Sequence, residues 1–157
     1  MAVIESLIAG SEKLTEIFGN WPSFHDAEVL DLRLDRGDIQ TDKSVYEFPA
    51  LTLKIHVWEL TNKTNSEGYL ILLHHTLATL KFCDVADFQM QGFNHQNALM
   101  ELILKSEERT EGPSPYFAVK LEPAFGIEAS FKCLRIEVID VVPCSDTGEL
   151  ILSADSQ

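Results

Sequence analysis

From residue 28 onward, apolar and polar side chains alternate with a period of two in one stretch of the chain after another. The first stretch places Leu30, Leu32 and Leu34 between charged neighbours, and a second runs from Leu51 to Val57. Successive side chains of a β-strand point to opposite faces of a sheet, so this alternation predicts strands that are buried on one face only. Such a pattern favours an antiparallel sheet over a bundle of helices.

Further stretches of strand-forming residues lie at 69–84, 100–104, 117–121, 127–133 and 135–142. Turns rich in glycine, proline, asparagine and aspartate separate them, which gives about seven strands in all. Strands and helices do not alternate along the chain, so a parallel sheet is not expected. We predict a single α+β, mostly β domain over residues 1–157, with a curved antiparallel sheet in a sandwich-like or half-barrel shape.

Helical signals are concentrated in residues 1–19, apart from one short helical turn through Asn97 that Asn94 could cap. Leu14, Ile17 and Phe18 share one helical face, Ser11 precedes them as a candidate N-cap, and Gly19 follows as a C-terminal stop. The sequence therefore predicts a short helix, or two helices with a break at Ala9-Gly10, packed on the sheet. At the other end, residues 145–157 are predicted to be a partly flexible tail.

The charge balance is strongly negative. Twelve Lys and Arg residues against 25 Asp and Glu residues give a formal net charge of −13. Such a surface repels nucleic-acid phosphates and anionic lipid, whereas it attracts basic proteins and also keeps a free protein in solution. The three cysteines show no C-x-x-C spacing, and the longest apolar run is only Tyr69 to Leu73. We predict a cytoplasmic protein in a reducing compartment that binds neither nucleic acid nor membrane.

Acidic residues are dense between Asp26 and Asp42, immediately after two aromatic residues. Acidic patches steer basic partners, and exposed aromatic side chains anchor protein interfaces. Trp58 shares its predicted strand face with Lys54 and His56, which favours exposure of its ring. These observations predict a partner-binding surface made of Phe24, His25, Asp26, Glu28, Asp31, Asp35 and Trp58. The alternative is that the charges form a solvated face without a binding role.

Motifs for catalysis are missing from the sequence. Neither a phosphate-binding glycine loop nor a G-x-S-x-G nucleophile elbow occurs. His25, Asp26 and Glu28 carry metal-ligating groups within one turn, which leaves open a small metal- or ligand-binding enzyme. The structural alternative is that Ser23, His25 and Asp26 hold a helix-to-strand corner through hydrogen bonds. A scaffold domain without any site is the third possibility, and we predict no catalytic residue, cofactor or metal.

The densest unusual stretch is the corner segment (Trp21–Val29), which begins with WPSFHDAE. Its first eight residues resemble the opening of a bacterial family called immunity protein 50. The segments Gly92–Asn97 and Gly126–Cys133 are similar to the middle and end of that family, so the resemblance spans residues 20 to 143. It implies a small, mostly β cytoplasmic protein of a polymorphic-toxin system. Such a non-enzymatic, antitoxin-like protein binds and neutralises a cognate toxin, and the negative charge favours a basic toxin domain.

Overall fold

The computed structural model describes residues 4–40, 45, 46, 48–108 and 116–151. In chain order, the strands are β1 (Glu28–Asp35), β2 (Ile39–Gln40), β3 (Val45–Tyr46), β4 (Ala50–Thr64), β5 (Leu70–Cys83), β6 (Ala86–Gln91), β7 (Leu99–Glu107), β8 (Tyr116–Pro123), β9 (Glu128–Cys133) and β10 (Arg135–Pro143). Every pairing between these strands is antiparallel. The predicted mostly β, antiparallel architecture is therefore confirmed.

Eight strands form two four-stranded sheets rather than one curved sheet of about seven strands. The first sheet has the order β1-β4-β5-β10, and the second has the order β6-β9-β8-β7. The short strands β2 and β3 pair only with each other among the described residues. Of the two predicted shapes, the sandwich-like one is therefore observed.

The core lies where the inner faces of the two sheets meet. Ala78, Leu80 and Phe82, which the alternation placed on one face of β5, are all fully buried. The ring of Phe82 meets the ring of Phe131 in β9 edge-on, with 5.1 Å between centroids. Burial of one large apolar side chain is worth about 1.5–3 kcal/mol, so this shared core holds the sheets together.

Among the eight strands of the two large sheets, β6 is the one that the alternation pattern did not predict. Asp87 has a φ of 56°, and the pairing with β9 shifts register between Ala86 and Gln89. Phe88 is the residue of this strand that packs against the core. A strand with one inward side chain leaves no period-two signal in the sequence, which explains the omission.

The N-terminal segment contains two short helices with a break, as one of the two predictions proposed. A 3-10 helix (Ile4–Leu7) precedes the helix α1 (Glu12–Phe18), which packs on β10 through the buried Leu14. Gly19 ends α1 in the left-handed conformation, and its N–H donates to the Thr15 carbonyl. Ser11 occupies the N-cap position, but its side chain makes no capping hydrogen bond, so that detail was wrong. No helix in the described ranges is long and apolar enough to cross a membrane.

Strands β4 and β5 extend well beyond their neighbours. Pairing of β4 with β1 ends at His56, and pairing of β5 with β10 ends at Thr76, whereas β4 and β5 stay paired as far as Thr64 and Leu70. Within the described part of the chain, residues 59–73 therefore form a two-stranded hairpin that projects from the sandwich. We call this hairpin the arm.

Part of the predicted flexible tail is folded back onto the first sheet. Cys144 bridges to Leu150, and the Cys144 N–H donates to the carbonyl oxygen of His75. Residues 152–157 lie outside the described residues, as do Asp42 and residues 109–115.

Candidate functional site

The corner segment joins the two sheets through backbone hydrogen bonds. The Asp26 N–H donates to the Leu99 carbonyl at 2.8 Å, and the Leu99 N–H donates to the Ala27 carbonyl at 2.9 Å. The Val29 N–H donates to the carbonyl of Asn97 at 3.0 Å. Because β1 and β7 are edge strands of different sheets, these bonds connect the sheets along one side. They also cover part of two strand edges that would otherwise expose unpaired backbone groups.

Two residues of the corner segment adopt left-handed backbone conformations. Phe24 has a φ of 61° and Asp26 has a φ of 66°, which is uncommon for residues other than glycine. The resulting bend turns the Phe24 ring into the core, where it is buried and lies 5.6 Å from the ring of Trp21. Phe24 was predicted to contact a partner at the surface, but in this structure its side chain is inaccessible.

His25 orders the corner, as the structural alternative proposed. Its Nδ1 lies 2.9 Å from the carbonyl oxygen of Met100, which can only accept, so Nδ1 carries the proton and donates. The backbone N–H of His25 donates to the Ser23 hydroxyl at 3.2 Å. Its Nε2 lies 3.6 Å from the Asp26 carboxylate, and both side chains are about half exposed. The imidazole therefore connects the corner to β7.

Glu28 makes a separate contact, with the backbone of Asn97. Its Oε1 accepts a hydrogen bond from the Asn97 N–H at 2.9 Å. His25 and Glu28 are thus each bound to separate backbone groups instead of sharing a ligand position. Among the described residues, no cluster of three or more His, Cys, Asp or Glu side chains could hold a metal ion.

Asn97 is the centre of a buried hydrogen-bond cluster, which we call the node. Its Oδ1 accepts from the backbone N–H groups of Asn94 at 3.0 Å and Ile127 at 3.2 Å. Its Nδ2 donates to the carbonyls of Asn94 at 2.7 Å and Val29 at 3.4 Å. With an exposed fraction of 3%, Asn97 satisfies groups that water cannot reach easily. The node brings together all three segments that carry the family resemblance.

Gly126 shows how tightly the node is packed. It adopts a left-handed φ of 80°, and a Cβ atom there would overlap the Gln96 carbonyl oxygen and lie 2.7 Å from Asn97 Oδ1. The sequence had suggested a helical turn capped by Asn94, but residues 92–97 form no helix. Instead, the Asn94 side chain accepts from the Gln96 N–H at 2.8 Å and stabilises a turn. Sequence reasoning did not identify the role of Asn97.

Asp31 and Asp35 of β1 are exposed along the edge of the first sheet. Asp31 lies opposite Lys54 in the β1–β4 ladder. Asp35 accepts a hydrogen bond from the Gly37 N–H at 2.9 Å, and its carboxylate lies 3.5 Å from the guanidinium of Arg33. Both carboxylates are accessible to a partner, so their predicted role in binding remains a prediction.

Trp58 belongs to an aromatic cluster at the base of the arm. Its ring centroid lies 4.8 Å from that of His56 and 5.9 Å from that of His75. The two imidazoles share a hydrogen bond of 2.9 Å, and the turn at Gly148 packs over His56, which is 4% exposed. Burial lowers the pKa of His56, and the neighbouring His75 lowers it further, while Asp146 partly opposes the shift. Trp58 itself is partly exposed at the rim of this cluster.

The three cysteines are free thiols and all are buried. Burial raises the pKa of each thiol above its usual value, and for Cys133 it raises the pKa to about 12. A cysteine nucleophile reacts as a thiolate, so these environments do not activate any of the three.

The structure thus separates the seven predicted partner-binding residues into different environments. Phe24 belongs to the core, whereas the other six are at least partly exposed, and one of these, Glu28, also binds the node. Contact with a partner stays a prediction for His25, Asp26, Glu28, Asp31, Asp35 and Trp58.

Comparison with known proteins identifies the family. The model of the family described as immunity protein 50 matches residues 10–143, a range that includes the node and all three resembling segments. No curated protein and no solved structure gives a significant match. A family match over this much of the chain, on segments that meet in space, is decisive. The chain belongs to the immunity protein 50 family.

Proposed function

We propose that this protein is an immunity protein in function as well as in family. It binds the toxin domain of a polymorphic-toxin system in the cytoplasm and blocks that toxin without catalysing a reaction. The observation that carries the proposal is the family match over residues 10–143.

The charge of the chain favours a basic toxin surface. A net charge of −13 attracts a positively charged partner over distances of about a Debye length and raises the association rate. A toxin that acts on nucleic acid has such a surface, since phosphate binding requires Lys and Arg side chains. A nuclease domain is therefore the toxin class that we favour.

The proposal is tested with the toxin domain encoded by the adjacent gene. We expect that this domain stops growth of a bacterial host, that co-expression of the immunity protein restores growth, and that the two proteins purify as a complex. An unrelated protein of similar size and net charge serves as the control for non-specific electrostatic binding. If neither rescue nor a complex is observed, the proposed function is wrong.

The salt dependence of binding tests the favoured basic surface. We expect the affinity to fall at least about tenfold as NaCl rises from about 50 to 500 mM, because salt screens exposed charges. Isothermal titration at each salt concentration measures the change. An affinity that does not depend on salt would argue against a basic toxin surface while leaving toxin binding intact.

A further inference from the structure

The arm carries the longest apolar run of the sequence to the outside of the molecule. Residues Tyr69 to Leu73 are uninterrupted apolar side chains, yet Tyr69 is 67%, Leu70 50% and Leu73 44% exposed. On the opposite strand, Leu60 is 57% exposed. Contiguous exposed apolar side chains on a soluble domain mark an interaction site more often than isolated ones do.

The backbone of the arm points to the same conclusion. Because β1 and β10 end before the arm begins, both edges of the hairpin present backbone groups without a neighbouring strand among the described residues. An isolated two-stranded hairpin is marginally stable in water, and open apolar edges promote unwanted pairing. A partner that covers the arm would remove both liabilities.

Local hydrogen bonds nevertheless hold the arm in one shape. The Thr61 hydroxyl donates to the Ile71 carbonyl at 2.6 Å. At the tip, Asn65 Oδ1 accepts from the N–H groups of Glu67 at 2.9 Å and Tyr69 at 3.0 Å. A hairpin ordered before binding loses less conformational entropy in a complex, so the arm is suited to dock as a rigid element.

Exposed leucines lie on both faces of the arm. Glu59 pairs with Leu73, and the next pair along the ladder is Leu60 with Leu72. Adjacent rows of a strand pair point to opposite faces, so Leu60 and Leu73 face opposite ways. The arm projects by about 20 Å, given the six residues 59–64 of β4 at about 3.3 Å each. A flat surface covers one face of such a ribbon, whereas a cleft covers both.

Charge favours a basic protein over a second copy of this chain as the occupant of such an interface. The arm carries Glu59, Lys63 and Glu67, so it is slightly acidic, and the acidic Asp146 and Glu149 belong to the tail turn packed beside its base. Two copies with a net charge of −13 each repel one another, whereas a basic toxin domain is attracted.

We propose that the arm is the toxin-binding element and that it inserts into a cleft of the toxin domain, with contacts to both of its faces. This inference rests on the proposed function and names the surface that performs it. Trp58, at the base of the arm, then lies at the rim of the interface. Insertion into a functional cleft would neutralise a toxin by occlusion.

The test compares two pairs of substitutions on the same sheet. Leu60→Ser and Leu73→Ser remove the apolar groups from the two faces of the arm, singly and together. The matched control is Leu34→Ser with Ile139→Ser, since these side chains are similarly exposed, at 49% and 45%, outside the arm. Binding of each variant to the inactivated toxin domain of the adjacent gene is measured by titration, and circular dichroism checks that each variant is folded.

We expect each single arm substitution to weaken binding at least about tenfold and the double variant at least about 100-fold. Losses of this size are typical when a large side chain at the centre of an interface is truncated. The control pair should change the affinity by less than about threefold. Loss with only one of the two single variants would overturn insertion into a cleft. Unchanged binding of the double variant would overturn the arm as the binding element, although the proposed function would stand.

Two further outcomes bear on the occupant of the arm. If the wild-type protein does not bind the toxin domain at all, the proposed function and the arm proposal both fail. If the wild-type protein alone forms a dimer at micromolar concentration and the double arm variant is monomeric, the occupant is a second copy, which overturns the toxin proposal for this surface. Light scattering after size-exclusion chromatography distinguishes these cases.

Discussion

Replacement of Asn97 by alanine removes the side-chain amide at the centre of the node. The buried Ile127 N–H then has no acceptor, and such an orphaned group costs about 1–3 kcal/mol. Loss of the bonds to Asn94 adds about 0.5–1.5 kcal/mol, because Asn94 is exposed and water replaces them in part. We expect a loss of about 3 kcal/mol in the free energy of unfolding, out of the roughly 5–15 kcal/mol of a typical domain.

The matched control is Asn65→Ala at the tip of the arm. Asn65 also accepts two backbone N–H groups through its Oδ1, but its site is exposed, so water can solvate those groups after the substitution. We expect a loss of about 1 kcal/mol or less for this variant. In thermal unfolding, the melting temperature should fall by about 6–12 °C for Asn97→Ala and by no more than about 4 °C for Asn65→Ala.

The aspartate variant of Asn97 tests which half of the amide matters. Asn97→Asp keeps an acceptor for the Ile127 N–H but places a carboxylate oxygen against the carbonyls of Asn94 and Val29. We expect it to be at least as destabilising as the alanine variant, since the second oxygen of the buried carboxylate would then face two carbonyl oxygens and no donor. Equal destabilisation by Asn97→Ala and Asn65→Ala in urea unfolding would refute the reasoning, because burial is the difference between the two sites.

Three further measurements test other parts of the structure. Gly126→Ala should destabilise the protein by more than about 3 kcal/mol because its Cβ overlaps the Gln96 carbonyl, whereas Gly19→Ala, with nearly the same φ and open space, should lose about 1 kcal/mol in urea unfolding. The pKa of His56 is lowered from 6.5 in the folded protein, so below about pH 6.5 the unfolded chain binds the extra proton and stability falls as the pH falls. His56→Gln should therefore show a smaller drop in melting temperature between about pH 7 and 5.5 than the wild type, and an equal drop would contradict the assignment. Cys133, with a pKa of about 12, should resist iodoacetamide at about pH 8 in the native protein and react in urea, as read by intact mass, and rapid native labelling would contradict its burial.

The strands could be predicted from the sequence because alternation is a local property. The inward faces of β4 and β5 follow from the spacing of residues such as Leu53 and Leu80, both of which are fully buried. The division into two sheets could not be predicted, because alternation shows which face of a strand is buried but not which other strands pack against that face. A left-handed residue also breaks the pattern, which explains the buried ring of Phe24.

The contacts of the site depend on residues that are far apart in the chain. Glu28 and Asn97 are separated by 69 positions, and Asn97 and Ile127 by 30, so no local pattern links them. His56 was expected on a polar face, and its strand position agrees with that expectation. It is buried because the turn at Gly148 folds over it, and that turn belongs to a segment predicted to be flexible.

The long sequence separations within the node have a consequence for the order of folding. Contacts between distant residues require large loops to close, whereas hairpins such as β4–β5 and β7–β8 bring together neighbouring parts of the chain. We therefore expect the hairpins to be formed in the folding transition state, and the hydrogen bonds of the Asn97 amide to form only after that state has been passed. Stopped-flow kinetics of Asn97→Ala should then show faster unfolding with an almost unchanged refolding rate. The residue that joins the two sheets would thereby govern how long the native protein lasts once it has formed.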